Sequence, residues 1–182
     1  MRVREAQVSD TPAMGRVMVE AWLTGHQGQM PEEAWQKRRD EWTPEMSAEA
    51  WKRNLVERDE TPGSREVYLI AVDDDENVVG IIYGVPADEG ASEDVADIAA
   101  LYVHPQMQGK GVGRQLLKAA ADRLSEFGFT KLNIAVLTAN EPARGFYEAM
   151  GGIDVGERTF DEDGHLLAER VYAWPDLRVL TG

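Results

Sequence analysis

The chain has 182 residues, none of them cysteine, and a formal net charge of −14. The lack of cysteine excludes disulfides, thiolate metal sites and a cysteine nucleophile, and the acidic balance argues against nucleic acid as a partner, because phosphate binding needs clustered lysine and arginine. The apolar runs are too short for a membrane span and "MRVREAQVSD" lacks the apolar core of a signal peptide, so we expect one cytoplasmic domain, residues 1–182, with no membrane partner.

The first sixty residues are predicted to be mostly helical. After a short strand in "VREAQ", Ser9 or Asp10 is expected to cap a helix that ends near two glycines. Pro31 opens a second helical stretch, and Ser47 is the expected N-cap of a third. Four of the five tryptophans lie in this region, where we expect them to pack in the core or to form a wall of a binding cleft.

Beyond residue 65, predicted strands and helices alternate. The strands are "REVYLIAV", "VVGIIYGV", "VADIAALYV" and "KLNIAVL", and the last two are separated by a helix that ends at Gly128. Asn140 is the expected N-cap of a further helix that Gly151 ends, and two final strands flank the turn "DEDG". This order predicts an α/β fold with a mixed sheet.

A glycine-rich patch lies between a predicted strand and a predicted helix in "LYVHPQMQGKGVGRQLLKAAADRL", residues 101–124. Free backbone N–H groups, the positive end of the helix dipole and small side chains together form a site for a pyrophosphate. The pattern matches neither a P-loop nor Gly-x-Gly-x-x-Gly. A glycine-rich turn without a ligand is the alternative.

Two motifs resemble those of the GNAT superfamily of N-acetyltransferases. Gln108-x-x-Gly111-x-Gly113 after "LYVHP" resembles the acetyl-coenzyme A (acetyl-CoA) signature, and "NEPARGFYEAMGG" resembles the helix that follows in that family. The resemblance covers Val67 to Trp174. It implies the GNAT fold, in which a mixed, mostly antiparallel sheet flanked by helices is splayed between two parallel strands. It also implies a core at residues 65–174 with the acetyl-CoA site, and an acceptor side formed by residues 1–60.

The resemblance also implies which residues bind the cofactor. Between the strands "DIAALYV" and "KLNIAVL", the backbone of Leu101, Tyr102 and Val103 would pair with the pantetheine arm. The pyrophosphate would be held by the segment Gln108, Gly109, Lys110, Gly111, Val112, Gly113 and Arg114. Asn140 would bond the pantetheine, although helix capping alone also explains an asparagine at this position.

Tyr147 occupies the position at which the family keeps a tyrosine near the thioester sulfur. The resemblance implies that Tyr147 is the general acid that protonates the departing thiolate. The alternative is that Tyr147 is an aromatic residue of the core. A protonated amine must also lose a proton to a base before it can attack. Asp97 is the first candidate for this base, and Glu93 and Asp94 are the next candidates. Ala135 replaces the glutamate of the branch that acetylates protein N-termini, which disfavours that branch.

Three further expectations concern the histidines and Gly152. His26, His104 and His165 lack metal-ligand spacing, so we expect no metal. His26 lies among the acceptor-side helices and could touch substrate. Gly152 stands where many family members have an aromatic residue after the helix-ending glycine.

The expected function is transfer of an acetyl group from acetyl-CoA to a primary amine. From Glu57 to Asp97 there are thirteen acidic and two basic residues, which favours a small cationic amine or polyamine as acceptor; solubility is the other explanation of this charge. A lysine side chain of a peptide is the near alternative, and a non-catalytic acyl-CoA sensor is the rival. A homodimer in which the C-terminal strand pairs between chains is compatible with either function.

Overall fold

A seven-stranded sheet forms the centre of the protein, in a computed structural model that describes residues 1–88 and 90–181. The strands are β1 (Arg2–Glu5), β2 (Val67–Val72), β3 (Val78–Pro86), β4 (Val95–Val103), β5 (Lys131–Leu137), β6 (Ile153–Glu162) and β7 (His165–Trp174). Their order across the sheet is β1-β2-β3-β4-β5-β7-β6. Within the described residues, β4 and β5 are parallel and every other neighbouring pair is antiparallel. The predicted α/β class and mixed sheet are confirmed.

Six α-helices flank this sheet in the described part of the chain: α1 (Thr11–His26), α2 (Glu32–Glu41), α3 (Pro44–Glu60), α4 (Val112–Glu126), α5 (Glu141–Ala149) and α6 (Arg178–Thr181). The short α6 was not predicted. Among the same residues, no helix combines the length and the apolar character that a bilayer span requires. The cytoplasmic location stays a prediction.

Each face of the sheet carries its own apolar core. On one face, α1 and α3 contribute Met14, Trp51 and Leu55 to a cluster with residues of β2, β3 and β4. On the other face, α4 contributes an apolar stripe that includes Leu116 and Leu124. Because β2 is covered on both faces, all six of its residues are buried, which explains the unbroken apolar run "VYLIAV".

The starts of two helices differ from the sequence prediction. Thr43, rather than Ser47, is the N-cap of α3: its side-chain oxygen accepts a hydrogen bond from the Met46 amide at 3.3 Å, and Pro44 occupies the first turn. Ser47 is buried within the helix. Asp10 does precede α1, but its carboxylate pairs with Arg4 at 2.7 Å instead of capping the helix.

The C-terminal strand β7 lies inside the sheet, between β5 and β6. Both of its edges are therefore paired within this chain, and β6 forms the outer edge. A homodimer built by β7 of two chains would require β6 to be displaced. A homodimer as such stays a prediction.

Trp174 explains the missing aromatic residue at position 152. A β-carbon on Gly152 would lie 2.8 Å from the Trp174 ring and 2.9 Å from the carbonyl oxygen of Tyr147. The indole nitrogen of Trp174 donates a hydrogen bond to the Met150 carbonyl at 3.0 Å, which holds the ring in this position. The space that an aromatic at position 152 would need is thus filled from β7.

The substitution Gly152→Ala should therefore destabilise the fold. Overpacking against a backbone carbonyl and a fixed ring costs about 1–3 kcal/mol, and each kcal/mol lowers Tm by about 2–4 °C in a domain of this size. The control is Gly145→Ala in α5, where a new β-carbon meets nothing within 4 Å and the glycine is exposed. Calorimetry should show a lower Tm only for Gly152→Ala; equal Tm values for that variant and the wild type would contradict the account.

Candidate active site

The two parallel strands part halfway along their length. Pairing between β4 and β5 begins at Val95 opposite Lys131 and ends at Ile98 opposite Ile134. Beyond this point β4 stays paired with β3 as far as Val103, and β5 stays paired with β7. The facing backbone edges are thus held apart by their outer partners, which leaves N–H and C=O groups that an extended ligand can pair with.

A bulge in β4 accompanies this separation. Tyr83 pairs with Ala100 and Gly84 pairs with Ile98, so Ala99 is the extra residue. Before the bulge, Ile98 faces the α4 core, whereas after it Tyr102 faces the α1 side. The bulge therefore keeps Asp97 and Tyr102, which are five positions apart, on the same face of the sheet.

A cleft of about 1010 Å³ lies between the separated strands and extends to both faces of the sheet. Of the predicted cofactor-binding residues, its lining includes Leu101, Tyr102, Val103, Gln108, Gly109, Gly111, Val112, Gly113, Arg114, Asn140 and Tyr147. Lys110 and Asp97 are not part of this lining. The structure thus brings together residues from β4, the glycine-rich loop and α5, which are up to 46 positions apart in the sequence.

The glycine-rich loop leads into the N-terminus of α4. Gly109 and Gly111 have φ values of +73° and +83°, and Gly111 is the N-cap of the helix. The first hydrogen bond of α4 runs from Gln115 to the Gly111 carbonyl, so the preceding amides face the end of the cleft. Lys110 and Arg114 contact the sulfur atoms of Met107 and Met150, at 3.7 and 3.4 Å. The N-terminus of α4 therefore offers N–H groups to an anion, with Arg114 in the lining of the cleft and Lys110 outside that lining.

Two predicted residues lie on α5. Asn140 is its N-cap, and its side-chain oxygen accepts a hydrogen bond from the Ala143 amide at 3.2 Å, which leaves the side-chain nitrogen available to a ligand. Tyr147 is 6% exposed and packs near the rings of Tyr172 and Trp174, with centroids 5.8 and 6.3 Å away. Tyr147 is thus a core aromatic that also reaches the cleft.

Two phenols therefore line the cleft from opposite sides. Burial raises the pKa of Tyr102 to about 12. Burial also raises the pKa of Tyr147 above its ordinary value, and the nearby Tyr102 adds to this effect. Both hydroxyls are protonated at neutral pH, so each can donate a hydrogen bond or a proton.

On the α1 side, the cleft is bounded by aromatic and charged side chains that sequence reasoning largely missed. The guanidinium of Arg38 lies over the rings of Trp22 and Trp42, each at 5.4 Å, and pairs with Glu162. His26 stacks on Trp22 at 4.5 Å, and its Nδ1 lies 2.8 Å from the Trp22 carbonyl oxygen. Burial lowers the pKa of His26, so its imidazole is neutral at pH 7.

The β6–β7 hairpin supplies two carboxylates to this half of the cleft, Glu162 and Glu169. Glu169 lies opposite Leu137 of β5 and accepts a hydrogen bond from Arg158 of β6 at 2.6 Å. Alternation along the two strands could have placed these residues on one face, but only the register of the sheet shows that this face lines the cleft. We call the region formed by Trp22, His26, Arg38, Glu162 and Glu169 the acceptor half of the cleft.

The predicted carboxylate bases do not line the cleft. They lie in or before the part of β4 that is still paired with β5. Asp97 is half-buried opposite Asn133, one position before pairing with β5 ends. Burial raises its pKa above the ordinary value. Asp94 instead accepts hydrogen bonds from Ser92 and, at 2.7 Å, from Thr130, and it pairs with Lys131 at 3.2 Å; these contacts hold its pKa well below the usual range. Asp94 is thus a structural residue, and the assignment of Asp97 as base stays a prediction.

The acidic segment between Glu57 and Asp97 does not line the cleft, as far as its described residues show; Glu89 lies outside them. Several of its carboxylates have local partners. Asp74 pairs with the N-terminal amino group, and Glu66 accepts hydrogen bonds from two tyrosine hydroxyls at 3.0 Å each. The described part of this segment therefore supplies no carboxylate to the lining of the cleft itself.

Among residues 1–88 and 90–181, no three histidine, aspartate or glutamate side chains lie together in a way that could hold a metal ion.

Known proteins resemble this chain in sequence and in fold. Residues 28–152, more than half of the chain, match the acetyltransferase (GNAT) family. Over 179 residues the chain is 27% identical to an uncharacterized N-acetyltransferase, YuaI, of Bacillus subtilis (strain 168), covering 98% of this chain and 95% of that protein. A 57-residue stretch is 35% identical to thialysine N-epsilon-acetyltransferase of Bos taurus, covering 31% of this chain and 34% of that protein.

A phosphinothricin acetyltransferase of the GNAT superfamily from Sinorhizobium meliloti, solved in complex with AcCoA, has a similar fold. The TM-score is 0.72 at 21% sequence identity, over 96% of this chain and 88% of that chain.

The raised pKa of Tyr102 predicts a pH dependence of stability. Below pH 10 the phenol is protonated in both the folded and unfolded states; between about pH 10 and 12 only the unfolded state loses the proton. Tyr102 thus contributes stability that is complete below pH 10 and is lost as pH rises towards 12. Denaturant unfolding at several pH values gives the free energy of unfolding as a function of pH. Above pH 10 this free energy should fall with pH less steeply in Tyr102→Phe than in the wild type, by about 1.4 kcal/mol per pH unit. The two proteins should have the same slope from pH 7 to 9, and equal slopes above pH 10 would refute the prediction.

Proposed function

The chain belongs to the GNAT family of acetyltransferases and is an acetyl-CoA-dependent N-acetyltransferase, and we propose that its acceptor is the primary amine of a small cationic molecule, an amine or a polyamine. The observation that carries this proposal is the pair of carboxylates, Glu162 and Glu169, in the acceptor half of the cleft. Glu162 pairs with Arg38 and Glu169 pairs with Arg158, each through one carboxylate oxygen. The second oxygen of each carboxylate can accept a hydrogen bond from an ammonium group, while the Tyr102 ring offers an apolar surface to its carbon chain. The Bos taurus relative is named for acetylation of the epsilon nitrogen of thialysine, which agrees with an amine acceptor.

For the cofactor, we assign the pantetheine arm to the gap between β4 and β5. Leu101 and Val103 would pair with it through their backbone, and Asn140 would donate from its side-chain nitrogen. The pyrophosphate would lie against the amides of residues 108–114, with Lys110 and Arg114 as counter-charges. In this arrangement residues 65–174 hold the cofactor, and residues 1–60 form much of the acceptor side.

The acceptor amine must lose a proton before it can attack. With a pKa near 10.4, a primary amine is almost entirely protonated at pH 7, and reaching the free amine costs about 4–5 kcal/mol. We assign Asp97 as the base, acting through a water because its side chain lies below the cleft rather than in its lining. Its raised pKa makes it a better proton acceptor than an exposed aspartate.

The free amine would then attack the thioester carbonyl carbon, so that the C–N bond forms and the C–S bond breaks. The sulfur leaves as a thiolate, and we assign Tyr147 as the acid that gives it a proton. The nitrogen, which is cationic once the C–N bond has formed, releases its remaining extra proton to solvent, and Tyr147 takes a proton back from solvent. Its buried position keeps the hydroxyl protonated until that step. The products are an acetylated amine and coenzyme A.

The substitution Gly111→Asp should abolish acetyl-CoA binding, because it adds a carboxylate where the pyrophosphate is expected and forces a non-glycine residue to φ +83°. The matched control is Gly128→Asp, which has the same strain at φ +88° but lies at the other end of α4. Acetyl-CoA at about 100 times its Kd adds about 2.7 kcal/mol, or about 5–10 °C in Tm. We expect this shift in the wild type and the control; the same shift in Gly111→Asp would exclude the assigned phosphate site.

The substitution Tyr147→Phe should lower kcat about a hundredfold and leave the Kd of acetyl-CoA unchanged, because it removes the acid but keeps the ring. The measurement is the release of free thiol from acetyl-CoA in the presence of a panel of primary amines. Tyr83→Phe is the control, since Tyr83 lies outside the cleft and bonds Glu66.

Unchanged turnover in Tyr147→Phe would eliminate the acid role. No thiol release by the wild type with any amine of the panel, under conditions in which acetyl-CoA still raises Tm, would eliminate a small amine as acceptor.

A further inference from the structure

His26 is the last residue of α1 and lines the acceptor half of the cleft. Its ring stacks on the ring of Trp22, one turn earlier, with the centroids 4.5 Å apart and the planes inclined by 15°. Its Nδ1 lies 2.8 Å from the Trp22 carbonyl oxygen. Because a carbonyl oxygen can only accept, Nδ1 must carry a proton. The stack and the hydrogen bond together fix both the orientation and the tautomer of the imidazole.

The other ring nitrogen, Nε2, is an unused acceptor. In a neutral imidazole with its proton on Nδ1, Nε2 carries a lone pair. Nε2 has no hydrogen-bond or ion-pair partner among residues 1–88 and 90–181, and it is open to solvent rather than closed off in the core. A lone pair that is fixed in direction and accessible in the lining of the cleft can accept a hydrogen bond from a ligand.

The surroundings of His26 keep the imidazole neutral. The charged and titratable side chains that line this part of the cleft come from four other elements: Arg38 of α2, Tyr102 of β4, Glu162 of β6 and Glu169 of β7. Glu162 and the Trp22 carbonyl favour the imidazolium, but burial opposes it more strongly, and the pKa of His26 is lowered from its ordinary value. The charge of Glu162 is also offset by Arg38, with which it pairs. His26 therefore takes up a second proton only in acidic solution.

We propose that His26 recognises the acceptor: Nε2 accepts a hydrogen bond from an N–H group of the amine while the imidazole is neutral, and a proton on Nε2 excludes the amine. This inference rests on the proposed function and adds a recognition residue to it. A protonated Nε2 is a donor, so the hydrogen bond is lost, and the imidazolium repels an ammonium group. Binding of the acceptor is thus coupled to a titration of the enzyme, whereas binding of acetyl-CoA is not, because other residues form the cofactor site.

The first test is the pH dependence of KM for the amine, between pH 5 and 8, at saturating acetyl-CoA. The substrate is whichever of butylamine, 1,4-diaminobutane and spermidine gives the fastest release of free thiol. In the wild type, KM should rise as pH falls through the pKa of His26, and the rise should approach about tenfold per pH unit, because only the neutral form binds the amine.

Two variants separate the lone pair from its titration. His26→Gln supplies an amide oxygen that accepts a hydrogen bond but does not titrate, so KM at pH 8 should stay within about threefold of the wild type and should rise less steeply in acid. His26→Phe keeps a ring to stack on Trp22 but has no acceptor, so it should raise KM about tenfold at pH 8 with kcat unchanged. His165→Gln is the control, since His165 begins β7 outside the lining of the cleft, and it should match the wild type.

The second test needs no turnover and uses the wild-type protein, so it decides the question even if a variant fails to fold. The histidine ring protons are titrated by NMR in the complex with coenzyme A, which cannot acetylate, with and without the same amine. The signal of His26 is identified by its loss in His26→Gln or, if that variant fails to fold, by its contact with the Trp22 ring. A ligand that binds only the neutral form must lower the pKa of His26, while the pKa values of His104 and His165 should not change.

The outcomes separate this inference from the function on which it rests. A wild-type KM and pH profile in His26→Phe, a loss of kcat at unchanged KM, or a pKa of His26 that the amine does not change overturns the inference and leaves the acetyltransferase function intact. A lack of turnover with all three amines, while acetyl-CoA still raises Tm, overturns the small-amine function and the inference with it.

Discussion

The end of pairing between β4 and β5 is the constraint on which the site depends. After Ile98 and Ile134 the two strands have no backbone partner on their facing edges, yet each is held by its outer neighbour. The gap is thus a fixed feature of the sheet rather than a frayed end. Unpaired backbone groups in such a gap are stable only if solvent or a ligand satisfies them, and a pantetheine arm, with its amides in an extended chain, matches that requirement.

The charge of the protein and the charge of its proposed cofactor have the same sign. The chain carries a net charge of −14, and acetyl-CoA is a polyanion, so binding depends on local rather than overall electrostatics. Backbone amides at the start of α4 and the side chains of Lys110 and Arg114 provide a local positive field. Carboxylates elsewhere, such as Asp74 and Asp94, are paired with cations and are screened over about 8 Å at physiological ionic strength.

The acceptor half depends on contacts between distant parts of the chain. Arg38 of α2 pairs with Glu162 at the tip of the β6–β7 hairpin, 124 positions away, and Lys37 pairs with Asp163 beside it at 3.1 Å. These pairs join the N-terminal helices to the last hairpin, and the cleft lies between them. Ion pairs at the surface or only partly buried contribute little to stability, so the two pairs act mainly by setting the position of Glu162 and of the aromatic side chains around Arg38.

The sequence by itself determined the order of the strands and helices, the glycine loop before α4 and the cap at Asn140. Each of these follows from local physics: apolar periodicity, positive φ at glycine, and side-chain capping. Local signals failed at Ser47, where the Thr43–Pro44 pair is the stronger helix start, and they did not predict α6. Only the tertiary structure decided which carboxylates face the cleft, because strand register and long-range docking select Glu162 and Glu169 rather than the acidic segment. Charge density along a chain carries no information on the direction in which side chains point once the sheet has formed.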